Sequence, residues 1–128
     1  MSHHLNRRRQ PRFLLSPMYH AVSVRRLSDG ETFADTGHAY DVSAGGIQFE
    51  LDNAYEPGTE VAVQIHLPEG FDIGPGRAVF AIGRVIWLGD LEDPGPVRMA
   101  VAFRMFPRAG DQERLMNYVS AGRMRVAA

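Results

Sequence analysis

The amino-acid sequence predicts an all-β fold, an antiparallel β-barrel followed by one C-terminal α-helix. Three observations predict it. Short segments in which apolar and polar residues alternate recur along the chain, the pattern of half-buried strands. Clusters of Gly, Pro, Asp and Ser separate these segments at intervals of roughly 8 to 15 residues. Beyond Gly110 the period of two gives way to helical spacing.

The elements follow in order. Residues 1–17 carry Pro11 and Pro17 and read as a flexible, arginine-rich arm without regular structure; residues 18–128 read as a single barrel domain with its helix. Met18 to Leu27 alternates weakly, with His20, Val22 and Val24 on one side, and forms the first strand. Ser28-Asp29-Gly30 turns the chain into a partner strand, Glu31 to Tyr40, in which Gly37 marks a bulge or second turn. Gly46 to Leu51 alternates strictly, and Pro57-Gly58 is a turn. Thr59 to Leu67 puts Val61, Val63, Ile65 and Leu67 on one face and leaves His66 exposed on the other.

After the loop Pro68 to Gly76 comes a long strand, Arg77 to Leu88, where Gly83 suggests the bend that barrel closure demands. Asp90, Glu92 and Asp93 in the next loop lack the spacing of a calcium site and read as a solvated hairpin tip. Val97 to Phe106 turns Val97, Met99, Val101, Phe103 and Met105 to one face. Gly110-Asp111 offers an N-cap to a helix over residues 112–122. The apolar face of that helix, Leu115, Met116, Tyr118 and Val119, packs over one mouth of the barrel or, alternatively, meets a partner.

Composition narrows the function. At 128 residues the chain is most simply one domain, long enough to bury a core without staples. It has no cysteine, which excludes disulfides, zinc–thiolate sites and cysteine nucleophiles. No apolar run reaches the roughly 20 residues of a membrane span, and no secretory h-region is visible, so the cytoplasm is the expected location and no membrane insertion is expected. The net charge of −1 argues against a general nucleic-acid binder. Charge is unevenly placed, however. All 14 basic residues are arginine, four fall between residues 7 and 12, and the first acidic residue is Asp29. The histidines form no constellation with carboxylates, and no metal site or enzyme activity is expected.

Two clusters carry the functional signal. The first is Arg7-Arg8-Arg9-Gln10-Pro11-Arg12, containing Arg8-x-x-x-Arg12. The second is the polar corner Asp41-Val42-Ser43-Ala44-Gly45-Gly46. Its glycines permit positive φ or close approach of a ligand or backbone, Asp41 offers carboxylate acceptors, and Ser43 offers a hydroxyl. Taken alone, a bulged hairpin corner with local hydrogen bonds accounts equally for these residues.

Together, an RxxxR arm followed by a DxSxxG corner resembles the PilZ domain, a small β-barrel family that binds cyclic di-GMP. The resemblance extends through Gly83-Arg84-Val85-Ile86-Trp87 and Ala100-Val101-Ala102-Phe103 to the terminal helix, over roughly residues 7 to 120. The gap from Arg12 to Asp41 is longer than a compact member of the family has, and an extended first hairpin would absorb it.

The resemblance implies a six- or seven-stranded antiparallel barrel with a C-terminal helix. It implies a bacterial second-messenger receptor that takes cyclic di-GMP as ligand, needs no cofactor and acts on an unidentified protein partner. It carries Arg8 and Arg12 over as the principal ligand arginines. Asp41 and Ser43 contact guanine and phosphate, and Gly45 and Gly46 keep the backbone close. An arginine at the position of Arg7 accompanies two mutually stacked ligands, and Arg9 either adds a phosphate contact or faces solvent. Trp87 lies on the strand where some relatives stack a tryptophan on the ligand. A shift of one residue would turn it to the other face, and packing is the favoured reading.

Arginine suits such a ligand, because its fork pairs with phosphate and with the O6/N7 edge of guanine, and its plane can stack on a base. The arm would order on binding and so switch a partner surface. Two rivals remain. One is a barrel of this family that binds only protein. The other is a single-stranded nucleic-acid binder, which needs surface aromatic platforms, whereas Tyr19, Tyr40 and Phe49 alternate like core residues.

Overall fold

A computed structural model describes residues 13–14, 20–29, 35–67, 78–89, 95–120 and 125–126. Its strands are β1 (Phe13–Leu14), β2 (Ala21–Arg26), β3 (Asp35–Ser43), β4 (Gly46–Leu51), β5 (Glu60–His66), β6 (Ala78–Leu88), β7 (Val97–Met105) and β8 (Arg125–Val126). Among the described residues one 3-10 turn, Leu27–Asp29, follows β2, and one α-helix, α1 (Asp111–Tyr118), precedes β8. The sheet runs β2-β5-β6-β7-β4-β3-β1-β8, and β2 also pairs with β3. That last pairing closes six strands into an antiparallel barrel with no free edge inside the ring, the arrangement expected from the sequence.

β3 makes closure possible. Its first half pairs with β2 (Ala21↔His38 to Val24↔Asp35), and its second half pairs with β1 (Phe13↔Val42, Leu14↔Asp41). Gly37 is the crossing point. A Cβ there would stand 1.8 Å from the Glu50 carbonyl oxygen, so this glycine allows two backbones to meet rather than forming a second turn.

The apolar alternation fills the barrel as expected. Val22, Val24, Val42, Phe49, Val61, Val63, Ile65, Val79 and Met99 are fully buried. Leu115, Tyr118 and Val119 of the helical segment join the same core, so the helix covers a barrel mouth. His20 is buried beneath it, with Nε2 2.8 Å from the Tyr118 hydroxyl.

Several expectations are corrected. Phe13–Leu14, assigned to the irregular arm, forms β1, and Arg125–Val126 adds β8 beside it (Phe13↔Val126). Asp111 does not cap the helix. Gly110 is the N-cap residue, with no side-chain cap bond, and Asp111 is the first helical residue. Its buried carboxylate accepts from the Phe80 backbone N–H (2.9 Å), Arg108 Nε (2.9 Å) and Arg114 (2.6 Å), while both arginines also donate to the Ala78 carbonyl. These side chains satisfy the edge of β6 that lies beyond the end of β7. Met105 is 52% exposed rather than inward, because Arg104 is an extra residue between the pairs Gly83↔Phe103 and Ile82↔Met105 and reverses the alternation. His66 is half-buried and lies 3.3 Å from the Ser23 hydroxyl rather than idle in solvent.

Candidate functional site

The Asp41–Gly46 segment is less of a corner than its composition suggests. β3 runs on through Asp41, Val42 and Ser43, and only Ala44-Gly45 turns before β4 begins at Gly46, opposite Ser43. The Ser43 hydroxyl accepts from the Gly45 N–H at 3.1 Å, a local bond that holds the turn. Gly46 adopts no positive φ; the positive-φ glycines are Gly58, Gly95 and Gly110 among the described residues. What Gly46 provides is close approach, since a Cβ there would lie 2.5 Å from the Val101 carbonyl oxygen. The backbone that approaches is β7 of the barrel.

A bulge aims Asp41. Ala39 pairs with Phe49 and Asp41 with Gln48, so Tyr40 is unpaired between them. Strict alternation from the buried Ala39 would turn Asp41 and Ser43 into the core. The extra residue shifts the parity, Val42 fills the core instead, and Asp41 and Ser43 face outward. Tyr40 is therefore not a core residue. It lies on the outer face, where its hydroxyl donates to Glu50 Oε1 at 2.6 Å and the Arg98 guanidinium covers its ring at 3.9 Å. The hydrogen bond to Glu50, helped by desolvation, raises the Tyr40 pKa against the opposing pull of Arg98, so the hydroxyl keeps its proton.

A second bulge shapes the opposite wall. Val85 pairs with Val101 and Trp87 with Ala100, leaving Ile86 as the extra residue. Ile86 and Trp87 are consequently both outside, 59% and 46% exposed. Alternation from Val79, Ala81 and Val85 alone would have buried Trp87.

Between the walls lies a hollow of about 240 Å³ lined by Asp41, Ser43, Gly45 and Gly46 on one side and Ile86 on the other, over a floor that includes Gln48, Ala100 and Ala102. The register arranges these residues in two rows across four strands. One row is Asp41, Gln48, Ala100, Trp87, and the other is Ser43, Gly46, Ala102, Arg84. Ala100 in the first row and Gly46 and Ala102 in the second leave a depression beside Gln48. Of the described residues that line it, Asp41 alone is charged, and it is 8% exposed. At the far end of the second row, Arg84 and Arg104 share Glu60 at 2.9 and 2.7 Å, which holds the Glu60 carboxyl below the usual range.

The sequence-predicted residues thus divide. Asp41, Ser43, Gly45 and Gly46 gather at one hollow, with Trp87 at the end of the Asp41 row. Arg7, Arg8, Arg9 and Arg12 lie outside the described residues. The next residues of the chain, Phe13 and Leu14, pair directly with Val42 and Asp41. Gln48, Ile86, Ala100 and Ala102 were not anticipated; the outward alanines of β7, alternating with Met99, Val101 and Phe103, were the visible trace of a flat floor. No group of three or more His, Asp or Glu residues suited to a metal occurs among the described residues, and none of their helices is long and apolar enough to cross a membrane.

Comparison with known proteins agrees with this architecture. No curated protein matches the sequence. The fold is similar to the Bacillus subtilis inhibitor of motility MotI/DgrA, with a TM-score of 0.63 at 23% identity over 88% of this chain. The match spans 49% of that protein, so the chain covers about half its length. It is also similar to the PilZ domain of Escherichia coli YcgR, solved with c-di-GMP, with a TM-score of 0.65 at 16% identity and 90% of both chains covered. At these identities the structural likeness speaks to the fold. The sequence profile of the PilZ domain matches residues 6–121, nearly the whole length, and the chain belongs to the PilZ domain family.

Proposed function

We propose that this protein is a cyclic di-GMP receptor, a cytoplasmic, non-enzymatic switch that reports ligand to a protein partner. The observation that carries the reading is the pairing of β1. Arg12 is covalently joined to Phe13, and Phe13 and Leu14 pair with Val42 and Asp41, so the strand to which the arginine-rich segment is attached lies beside the hollow. The chemistry of the hollow supports it too. Its described lining offers a carboxylate, a hydroxyl and an amide but no cation, so a dianionic ligand needs charge from elsewhere. Arg8 and Arg12 supply that charge as bidentate forks on phosphate, and Asp41 accepts from the N1–H and N2–H₂ donors of a guanine. Ser43 serves phosphate, and Gly45 and Gly46 keep side chains out of the way. Arg7 favours two stacked ligands, and Arg9 adds a phosphate contact.

Ordering the arm costs about 1–2 kcal/mol per residue fixed. Charge-assisted hydrogen bonds of about 1.5–3 kcal/mol each offset this, which makes arm closure conditional on ligand. A single-stranded nucleic-acid polymer fits less well. Arg98 already covers Tyr40, leaving Trp87 as the open aromatic platform on this face among the described residues, and binding along a strand uses successive platforms.

The test is calorimetric titration of cyclic di-GMP into the parent and into Arg8→Ala, Arg12→Ala and Ser43→Ala. Parental binding with loss in all three variants is expected, and a stoichiometry of two would support the role given to Arg7. A folded parent that does not bind at high micromolar ligand would overturn the reading and move the function to a protein partner.

A further inference from the structure

Resting on the receptor reading, we infer that Gln48 is the second half of a guanine-reading pair, with Asp41 as the first. The register makes the two side chains direct cross-strand neighbours on the outer face of β3 and β4. Such pairs stand about 5 Å apart at Cβ, within the span of one base edge. Both line the hollow, and the neighbour of Gln48 on its other side is Ala100, too small to cover it.

The remaining lining groups differ from Gln48 in what they can offer. The Ser43 hydroxyl already accepts from Gly45. Ile86, Ala100 and Ala102 offer no side-chain polar group. The Gln48 amide carries both a donor and an acceptor and makes no hydrogen bond to any described residue. It is half-buried, held on a strand, and open to the hollow. Its surroundings show no structural task for an amide at this position, since the Ile47 and Phe49 side chains on either side carry the core packing.

The pair matches guanine and mismatches adenine. The Watson–Crick edge of guanine presents two donors, N2–H₂ and N1–H, followed by one acceptor, O6. The Asp41 carboxylate supplies two acceptors and the Gln48 NH₂ supplies one donor in the complementary order. Adenine presents one donor and one acceptor on that edge, so it leaves an Asp41 oxygen facing the N1 lone pair. Asp41 alone would select for donors; with Gln48 beside it the site also requires the O6 acceptor. The outward bulge at Tyr40 sets this alignment, because it brings Asp41 rather than Tyr40 into register with Gln48.

The experiment measures affinity for cyclic di-GMP and cyclic di-AMP in the parent, Gln48→Met and Gln48→Glu, with thermal melts of all three. Methionine keeps the length and removes the hydrogen bonds, and glutamate keeps the shape and removes the donor. Both are expected to melt with the parent, to bind cyclic di-GMP about tenfold more weakly, and to lose a similar factor in discrimination against cyclic di-AMP. A parent that binds while both variants keep its affinity and its discrimination overturns the role of Gln48 alone. Loss in the methionine variant with full binding by the glutamate variant overturns the donor assignment. A parent that binds neither nucleotide overturns the receptor reading and this inference with it.

Discussion

Gly46 sits in a motif whose glycine would, by resemblance, serve a ligand, and its surroundings give it a second part in the barrel. Replacing it with alanine separates the two roles. The added Cβ would stand 2.5 Å from the Val101 carbonyl oxygen and 3.5 Å from the Ala102 Cα. The first distance is roughly an ångström inside van der Waals contact. The obstacle is backbone, so no rotamer change relieves it, and β4 must separate from β7 around the Gly46↔Ala102 pair. Overpacking of this kind costs about 1–3 kcal/mol. For 128 residues, an unfolding entropy of about 2.1 cal/mol/K per residue gives about 0.27 kcal/mol/K, so Tm should fall by about 4–11 °C. Thermal melts by circular dichroism, followed by titration of cyclic di-GMP at a temperature where the variant is folded, give both readouts. A Gly46→Ala protein that melts within about 1 °C of the parent but no longer binds would refute the reasoning, because the glycine would then serve the ligand and not the β4–β7 approach.

Gly37→Ala should be more damaging than Gly46→Ala, since its Cβ would meet the Glu50 carbonyl oxygen at 1.8 Å; a higher Tm for the Gly37 variant in paired melts would count against the crossing described for β3. Asp111→Ala should cost about 1–3 kcal/mol in urea unfolding at neutral pH, because it strips the Phe80 N–H of its acceptor. Burial acts to raise the Asp111 pKa, but the bonds from Arg108, Phe80 and Arg114 outweigh it and hold the carboxyl below its ordinary value. A depressed folded-state pKa means that the contribution is fully present above the unfolded value of about 3.9 and is lost as pH falls through the folded one. The stability gap between parent and Asp111→Ala should therefore close below pH about 4, and a gap unchanged down to pH about 2 would contradict the ion cluster. Tyr118→Phe removes the hydroxyl bonded to His20 and should cost about 1 kcal/mol while leaving ligand affinity unchanged, as seen by parallel unfolding and titration. Trp87 is the only tryptophan, so its emission should be quenched by acrylamide in the free protein and protected by cyclic di-GMP if ligand reaches the end of the Asp41 row.

Most of the barrel was legible because strands buried on one face write their orientation into every second residue. Val61, Val63 and Ile65 show it on β5, and Ile47, Phe49 and Leu51 on β4. The helix was legible for the same reason, through the spacing of Leu115, Tyr118 and Val119. Contacts between distant segments could not be read. Nothing near Asp111 in sequence announces the Phe80 N–H, and nothing near Phe13 announces Val42 or Val126. The polar corner was legible as chemistry but misread as geometry, since Asp41 and Ser43 are turn-compatible residues and yet, with Val42, belong to a strand. Short strands such as β1 and β8 fall below the length at which alternation can be recognised at all.

Tyr40 and Met105, which the sequence turned inward, and Trp87, whose face it left open, share one cause. Each lies at or just beyond an extra residue that a two-residue period cannot reveal, because inserting one residue reverses the parity of the rest of the strand. In β3 and β6 that reversal creates the candidate site. Without the bulge at Tyr40, the parity set by Ala39 would bury a carboxylate in an apolar barrel. Without the bulge at Ile86, the parity set by Val85 would put the indole inside. Both insertions leave the core periodic beyond them, with Val42 buried and Leu88 packed against it, so the barrel tolerates them. Their joint effect is to place a carboxylate and an indole at opposite ends of one row across the outer face, with Gln48 and Ala100 between. The two strands that carry these ends are not hydrogen-bonded to each other; β4 and β7 separate them and supply the floor. The recognition surface therefore depends on two local irregularities imposed on an otherwise regular barrel, and the residues that create it are the ones a periodic reading places on the wrong face.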